Sequence, residues 1–507
     1  MADANRLDRN GLIWMCMVCF VATANSATQG YDSSMMNGLQ ILPGYEQYFK
    51  LSSSLLSLNV AIVALGSVVA MPFGGYIPDK YGRKWGIAST AICAIVGATI
   101  QSAAVHEAMF IIGRFIVGFS VTLGSVVAPA YVAEISHPAY RAELTSLYGA
   151  FWYVGGILAA VITFGSQYIT STWCWRLPSL LQFLPSILCL IPLPFIPESP
   201  RWLVYQNRGE EARAMLIKYH GRGDPNSELV AIEFEEIRQT LEFEKTVQKQ
   251  SFKALFATKP NRWRMGITIA VAVFCQLSGN NTISYYLGTV LDTAGITNTN
   301  TQLGINIGLS VWNLICAVFG SIYVERIGRR TGFQVSTNMM ALVLILMAIL
   351  TKLYSGSDNA SASAAVVFLI FFFYGWYSLV WTPLSYMYPL EVLSYSLRAN
   401  GLSVFNGACY AAAFFNTYVI PYAMTWSGWG FYLISAFWCF GEAVVMYFYF
   451  PETRGMTLEE VDVIFDGEKH FDSNIIIGAV VGNVAPKIDI GGEKGTGSVG
   501  VQETSSP

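Results

Sequence analysis

Twelve stretches of mainly apolar residues recur along the chain, each near the ~20 residues a helix needs to cross a bilayer. They cover 11–32, 55–78, 86–105, 108–129, 143–166, 177–197, 263–290, 302–324, 333–354, 363–388, 396–420 and 428–450. Inside a bilayer no water satisfies backbone N–H and C=O groups, so each stretch predicts a helix. Composition agrees: 12% of residues are charged, against about 25% in a soluble domain. With 53% hydrophobic residues, a soluble fold could not cover its own core. These features exclude a soluble enzyme, a disordered chain and a disulfide scaffold. The net charge of −3 creates no field for nucleic acid. The expected class is an all-α polytopic membrane protein. The runs are rich in Gly, Ser and Asn, which suit helices that pack on helices or line a polar cavity.

Nearly all nine cysteines fall inside the runs, and Cys174 is expected in a short loop. They read as small packing residues, with no disulfide and no metal site. The first run lacks a small-residue cleavage site and is taken as the first helix.

With both termini in the cytoplasm, 26 of the 30 Lys and Arg residues fall on the cytoplasmic side. The outer side receives Lys50, Arg176 and Lys352, and Arg114 lies within span 4. This bias orients the chain. The chain divides into a cytoplasmic N-terminus (1–10), six spans (11–197), a charged linker (198–262), six further spans (263–450) and a cytoplasmic tail (451–507). The linker predicts helices over Glu210–Tyr219 and Glu228–Gln250, where Leu, Ile and Phe recur at helical spacing. The end of the tail is rich in Gly, Ser and Thr and reads as disordered.

Charged patterns repeat on either side of the linker. Asp79, Gly82, Arg83 and Lys84 follow span 2, and Glu325, Gly328, Arg329 and Arg330 follow span 8. Glu134 and Arg141 close span 4 as Glu391 and Arg398 close span 10. Pro197-Glu198-Ser199 closes span 6 as Pro451-Glu452-Thr453-Arg454 closes span 12. Gly328 follows Gly82 by 246 residues, Glu391 follows Glu134 by 257 and Glu452 follows Glu198 by 254. Three matches in one order, at nearly one offset, indicate a duplicated six-span unit. That is a transporter architecture, with the substrate site between parallel halves. A lone acid–base pair on a loop stabilises little. Recurrence in both halves points instead to a cytoplasmic gate of Arg83, Glu134, Arg141, Glu198, Arg201, Arg329, Glu391, Arg398 and Glu452. These pairs are expected to hold the halves together while the cavity faces outward.

These motifs together resemble the sugar porter family of the major facilitator superfamily. Further matching elements are Trp175-Arg176-Leu177-Pro178, Pro197 to Leu203, Gln276 to Asn281 and Pro451 to Gly455. The stretch Gly30 to Gln40 is similar to fungal lactose and hexose permeases. The resemblance implies a major facilitator fold of twelve transmembrane helices in two pseudo-symmetric halves.

Asp32 in span 1 and Arg114 in span 4 reach a similar depth. Ionisable residues inside a span are costly and usually functional. Burial favours the neutral acid and a nearby arginine favours the anion, so such a carboxyl can gain and lose a proton. The resemblance implies that Asp32 binds the coupling proton and Arg114 is its counter-ion; a structural salt bridge in an uncoupled facilitator is the competing reading.

A polyhydroxyl solute needs amides and hydroxyls against an aromatic wall. Gln276, Asn281, Asn313 and Tyr386 supply them at positions that match the family's sugar contacts. Tyr386 stands where Trp is common, and Gln29 occupies a position that is usually aromatic. Ala150, Cys275 and the Cys409-Tyr410 pair replace expected amide and aromatic partners, which suits a larger or less polar pocket. Glu442 in span 12 is expected to be structural, with Trp or Tyr partners, and a second proton site is the competing reading. Asn359-Ala360-Ser361 is an outer-loop glycosylation sequon, whereas Asn280-Asn281-Thr282 lies inside a span.

No Walker A loop or nucleophile–base set is present, so neither an enzyme nor a cofactor is expected. The expected function is proton-coupled uptake of a small neutral solute, a hexose, pentose or disaccharide, by alternating access. The alternatives are an exporter of a secondary metabolite or polyol, and a nutrient sensor on a transporter scaffold. We expect a monomer in the plasma membrane, with protons and lipid as its other partners.

Overall fold

The computed structural model describes residues 9–137, 141–247, 252–354, 359–394, 397–456 and 458–466. Twelve helical passes run through the described residues. Span 1 is Arg9–Ile41, span 2 Ser53–Tyr81, span 3 Arg83–Ser102, span 4 Glu107–Ile135 and span 5 Arg141–Ser166. Span 6 is divided into Trp173–Leu181 and Leu184–Leu190. Span 7 comprises Lys259–Leu277, Asn280–Tyr285 and Leu287–Thr293. Span 8 is Thr299–Ile327 and span 9 Arg329–Tyr354. Span 10 is Ala360–Trp376 and Thr382–Val392, joined by a π-helical turn over Tyr377–Trp381. Spans 11 and 12 share the stretch Arg398–Tyr449, broken at Ser427, whose backbone is extended.

Several helices outrun their apolar runs. Span 1 continues to Ile41, because the first break in helical geometry is Leu42, which precedes Pro43. Cys174, expected in a loop, lies instead in the first turn of span 6 and is buried. The linker helices form over Gly209–Tyr219 and Glu228–Val247.

Two glycines make turns that no other residue could make cheaply. Gly82 (φ 106°) stops span 2 and lets span 3 start at the next residue, and Gly328 (φ 92°) does the same between spans 8 and 9. A Cβ on either would also press on a carboxylate, Glu198 or Glu452.

Packing depends on close backbone approach, as expected where lipid supplies no hydrophobic drive. Gly155 of span 5 sits on the Ala27 carbonyl of span 1, and Gly118 of span 4 on the Val63 carbonyl of span 2. Gly320 of span 8 meets the Leu379 carbonyl of span 10. Across the halves, Gly407 of span 11 packs on Met71 of span 2.

The linker helices dock against the first half. Met215, Leu216 and Val230 share a core with Tyr131 and Ile135 of span 4. His220 bonds Glu233 through Nδ1 (2.7 Å) and the Ile135 carbonyl through Nε2 (3.2 Å). The side of the spans that carries this linker is the linker end, and the opposite side is the far end. A last helix, Leu458–Asp466, places Phe465 against Trp263 and Arg264 at the start of span 7.

Candidate functional site: a buried ion pair beside an open cavity

Asp32 and Arg114 meet. Arg114 Nη1 donates to Asp32 Oδ1 at 3.2 Å, and Gln182 Nε2 of span 6 donates to the same oxygen at 2.8 Å. Asp32 is 3% exposed and Arg114 1%. The other side of the guanidinium donates through Nε to the Asn59 carbonyl of span 2. One carboxyl therefore joins spans 1, 4 and 6, with span 2 behind the arginine. Sequence reasoning missed Gln182, because a lone glutamine in a polar-rich span carries no signal of its own.

Tyr285 of span 7 links this pair to the second half. It stands beside Ser33, next to Asp32, and lies close enough to feel the charges of Asp32 and Arg114. It also neighbours Cys409 of span 11. It too was missed, being one of 27 tyrosines.

Of the expected solute residues, Tyr386 faces open space, whereas Asn281 is buried. Tyr386 is 59% exposed although it stands among Cys275, Cys409, Tyr410 and Tyr148 of spans 7, 11 and 5. A side chain inside a bundle is that exposed only where a cavity opens. Gln276 and Asn281 lie on either side of the span 7 break, where Gly279 takes φ 94°. Asn281 Nδ2 donates to Gln276 Oε1 (3.0 Å), and Gln276 Nε2 donates to Cys409 Sγ (3.1 Å). Asn416 Nδ2 donates to the Gln276 carbonyl, a partner the sequence reading did not single out.

Asn313 accepts from Ser378 of span 10 at 3.3 Å, in the π-helical turn. Such turns are frequent at functional sites. Tyr377 of that turn donates to the Cys275 carbonyl (3.0 Å), and Tyr153 of span 5 bonds Thr382 (2.9 Å) just beyond it. Gln29 belongs to the first-half wall, with Nε2 shared among Asn25, the Val121 carbonyl and Tyr148. The side chain of Ala150 lies outside the described residues.

At the linker end the charged residues form two similar clusters. In the first half, Arg83 Nε and Nη2 grip Glu134 (3.1 and 3.2 Å), while Nη1 reaches Asp79 (2.6 Å). Glu198 accepts the backbone N–H of Arg83 (2.9 Å), Lys84 and Ser199. In the second half, Arg329 grips Glu391 (2.8 Å), and Glu452 accepts the N–H of Arg329 (2.7 Å) and Arg330 (3.0 Å).

Every one of these bonds stays within one half. In this conformation Arg83, Glu134, Glu198, Arg329, Glu391 and Glu452 staple spans inside each half. The reason is reach, since Glu198 and Glu452 each accept N–H groups from the tight turn of their own repeat. Arg201 lines a cavity of about 270 Å³ with Asp79, Arg83 and Glu134. Arg398 opens span 11, and the side chain of Arg141 lies outside the described residues.

Burial pushes the Glu198 carboxyl above its ordinary value, against the pull of its three N–H donors and Lys84.

Bonds between the halves lie elsewhere. Tyr168 donates to Asn300 at the far end (3.1 Å), and Tyr153–Thr382 lies at mid-depth. Ile41 of span 1 presses on Gly288 of span 7, also toward the far end. Asn359 is exposed at the far end, where its side-chain oxygen caps span 10.

The profile of the "Sugar (and other) transporter" family matches residues 18–465. The MFS-type transporter criB of Aspergillus cristatus is 29% identical, over 86% of this chain and 90% of its own. A high-affinity glucose transporter of Kluyveromyces lactis is 28% identical, over 88% and 84%. The inward-open xylose transporter XylE from E. coli superposes with a TM-score of 0.75 at 23% identity, covering 89% of this chain and all of that one. These relatives are transporters, not enzymes. With its twelve passes, its buried Asp32–Arg114 pair and its profile match, the chain belongs to the sugar (and other) transporter family and is a multi-pass membrane protein of the major facilitator fold.

Proposed function

We propose that this protein is a proton-coupled sugar transporter of the plasma membrane that works by alternating access. The linker end faces the cytoplasm, as do both termini, and Asn359 is the outer glycosylation site. The observation that carries this reading is Asp32, buried between Arg114 and Gln182, with Tyr285 of span 7 beside it and Tyr386 open to the cavity.

Both donors stabilise the Asp32 anion. A solute that draws span 7 and Tyr285 inward shifts the residues packed beside the Asp32–Arg114 pair. Proton binding and solute binding thus become linked through one helix. One proton moving through about 100 mV supplies roughly 2.3 kcal/mol. Each tenfold of accumulation takes about 1.4 kcal/mol, so roughly 40-fold is within reach of a neutral solute. The linker-end clusters act here as staples that keep each half rigid while the halves rock.

Uptake into proteoliposomes with an imposed pH gradient, across hexoses, pentoses, disaccharides and polyols, tests the reading. Asp32→Asn should abolish uphill accumulation while sparing counterflow exchange, and unchanged accumulation would sink it. A second reading has one observation in its favour. Gln276 spends its amide on Cys409 and Asn281, which leaves less hydrogen bonding for a hexose. Accumulation of no carbohydrate would favour export of a less hydroxylated metabolite.

A further inference from the structure

Glu442 has no place in the scheme above. It lies in span 12, is 2% exposed, and neither carboxyl oxygen has a hydrogen-bond partner. Trp438, one turn away, is the expected Trp neighbour, but its indole N–H falls short of bonding geometry. Cys275 of span 7 and Cys439 of its own helix are the titratable side chains that face it. Span 11 adds Cys409, 3.9 Å from Cys275. Span 9 brings Gln334 to this level, bonded to the Ala443 carbonyl, while its cation Arg330 is held on the Tyr447 carbonyl, nearer the linker end. A buried carboxylate with no bond and no counter-ion bears its full desolvation cost, so this packing admits the neutral acid.

The carboxyl also lies beside a joint. Cys439 Sγ donates to the Ser278 carbonyl at 3.4 Å, at the point where span 7 breaks. Spans 7 and 12 run antiparallel, so Glu442 falls level with Cys275, one turn toward the linker end. The Ser278 hydroxyl at this joint is fully buried and has no partner either. Two unpartnered polar groups thus flank the bend that separates Gln276 from Asn281.

We propose that Glu442 is a second proton-binding site, protonated while span 7 is packed as seen and exchanging its proton when the joint moves and admits water. The site binds a proton and nothing larger. This inference rests on the proton-coupled reading, which places span 7 in motion during each cycle.

Infrared difference spectroscopy of the full chain in liposomes tests it without a solute. A protonated buried carboxyl gives its own carbonyl-stretch band, which shifts in D2O once the proton exchanges. The wild type should show a band that is lost in Glu442→Gln, persists in Glu442→Asp and in Asp32→Asn, and shifts in D2O within minutes. A Glu442→Gln spectrum identical to the wild type, or a Glu442 band that stays unshifted in D2O overnight, overturns the proposal. Failure of the underlying reading shows separately, as unchanged accumulation in Asp32→Asn.

Discussion

Each half of the molecule buries a carboxyl at membrane depth, and the two are treated in opposite ways. Asp32 in the first half accepts from Arg114 and Gln182. Glu442 in the second half accepts from no described residue. At the linker end, by contrast, the halves are nearly copies: Arg83–Glu134 with Glu198, and Arg329–Glu391 with Glu452. Duplication has kept the staples and let the membrane-depth chemistry diverge. A staple does the same mechanical task in both halves, whereas a coupling site and a solute wall need different groups.

The largest effect expected from this comparison is at Arg114. Arg114→Met leaves the Asp32 anion buried with only Gln182, and breaking a buried pair in this way costs about 3–5 kcal/mol. Thermal unfolding in detergent measures it, and adding Asp32→Asn should restore much of the loss. If the double variant is no better than Arg114→Met, the arginine matters for packing rather than for charge.

Next come the staples. Arg329→Ala should cost about 1.5–3 kcal/mol, in the range of charge-assisted bonds. Arg83→Ala should cost less, because its side chain is 15% exposed against 7% for Arg329. Equal losses in the two variants would remove exposure as the deciding factor.

A smaller, pH-dependent effect separates Glu198 from a neutral analogue. Its folded carboxyl is raised above the ordinary 4.5, so its neutral form is the one the fold favours. That contribution is complete below the ordinary value and is lost as pH rises through the raised one. The stability margin of the wild type over Glu198→Gln should therefore be widest in acid and narrow toward neutral pH. A margin that widens with pH would show that the three N–H bonds, not burial, govern this acid.

The smallest stability effect is expected at Glu442. With no bond to lose, Glu442→Met should be nearly neutral or slightly stabilising. A loss as large as that of Arg114→Met would mean the carboxyl has a partner after all, and the contrast between the halves would fall.

Much of the site was legible as single residues. Asp32, Arg114 and Glu442 stand out because a charge in an apolar run is costly enough to need a reason. Gln276 and Asn281 stand out only through the motif that contains them. Gln182, Tyr285 and Asn416 carried no signal, since amides and tyrosines are common in these spans and their value depends on what they face. The gate shows the limit from the other side. Its acids and bases were identified by repetition, but repetition does not say which acid each arginine meets, and the turns at Gly82 and Gly328 direct those contacts inward to each half.

The amino-acid sequence by itself determined that the chain crosses a bilayer twelve times and is internally duplicated. Both follow from local facts: the length of apolar runs that lipid can accept, and motifs that recur in order. Only the tertiary structure decided which side chains meet. Arg114 reaches Asp32 across 82 positions and Gln182 reaches it across 150, distances over which helical periodicity carries no information. It also decided that Glu442 meets none, because partnership at membrane depth is set by how whole helices rotate and cross.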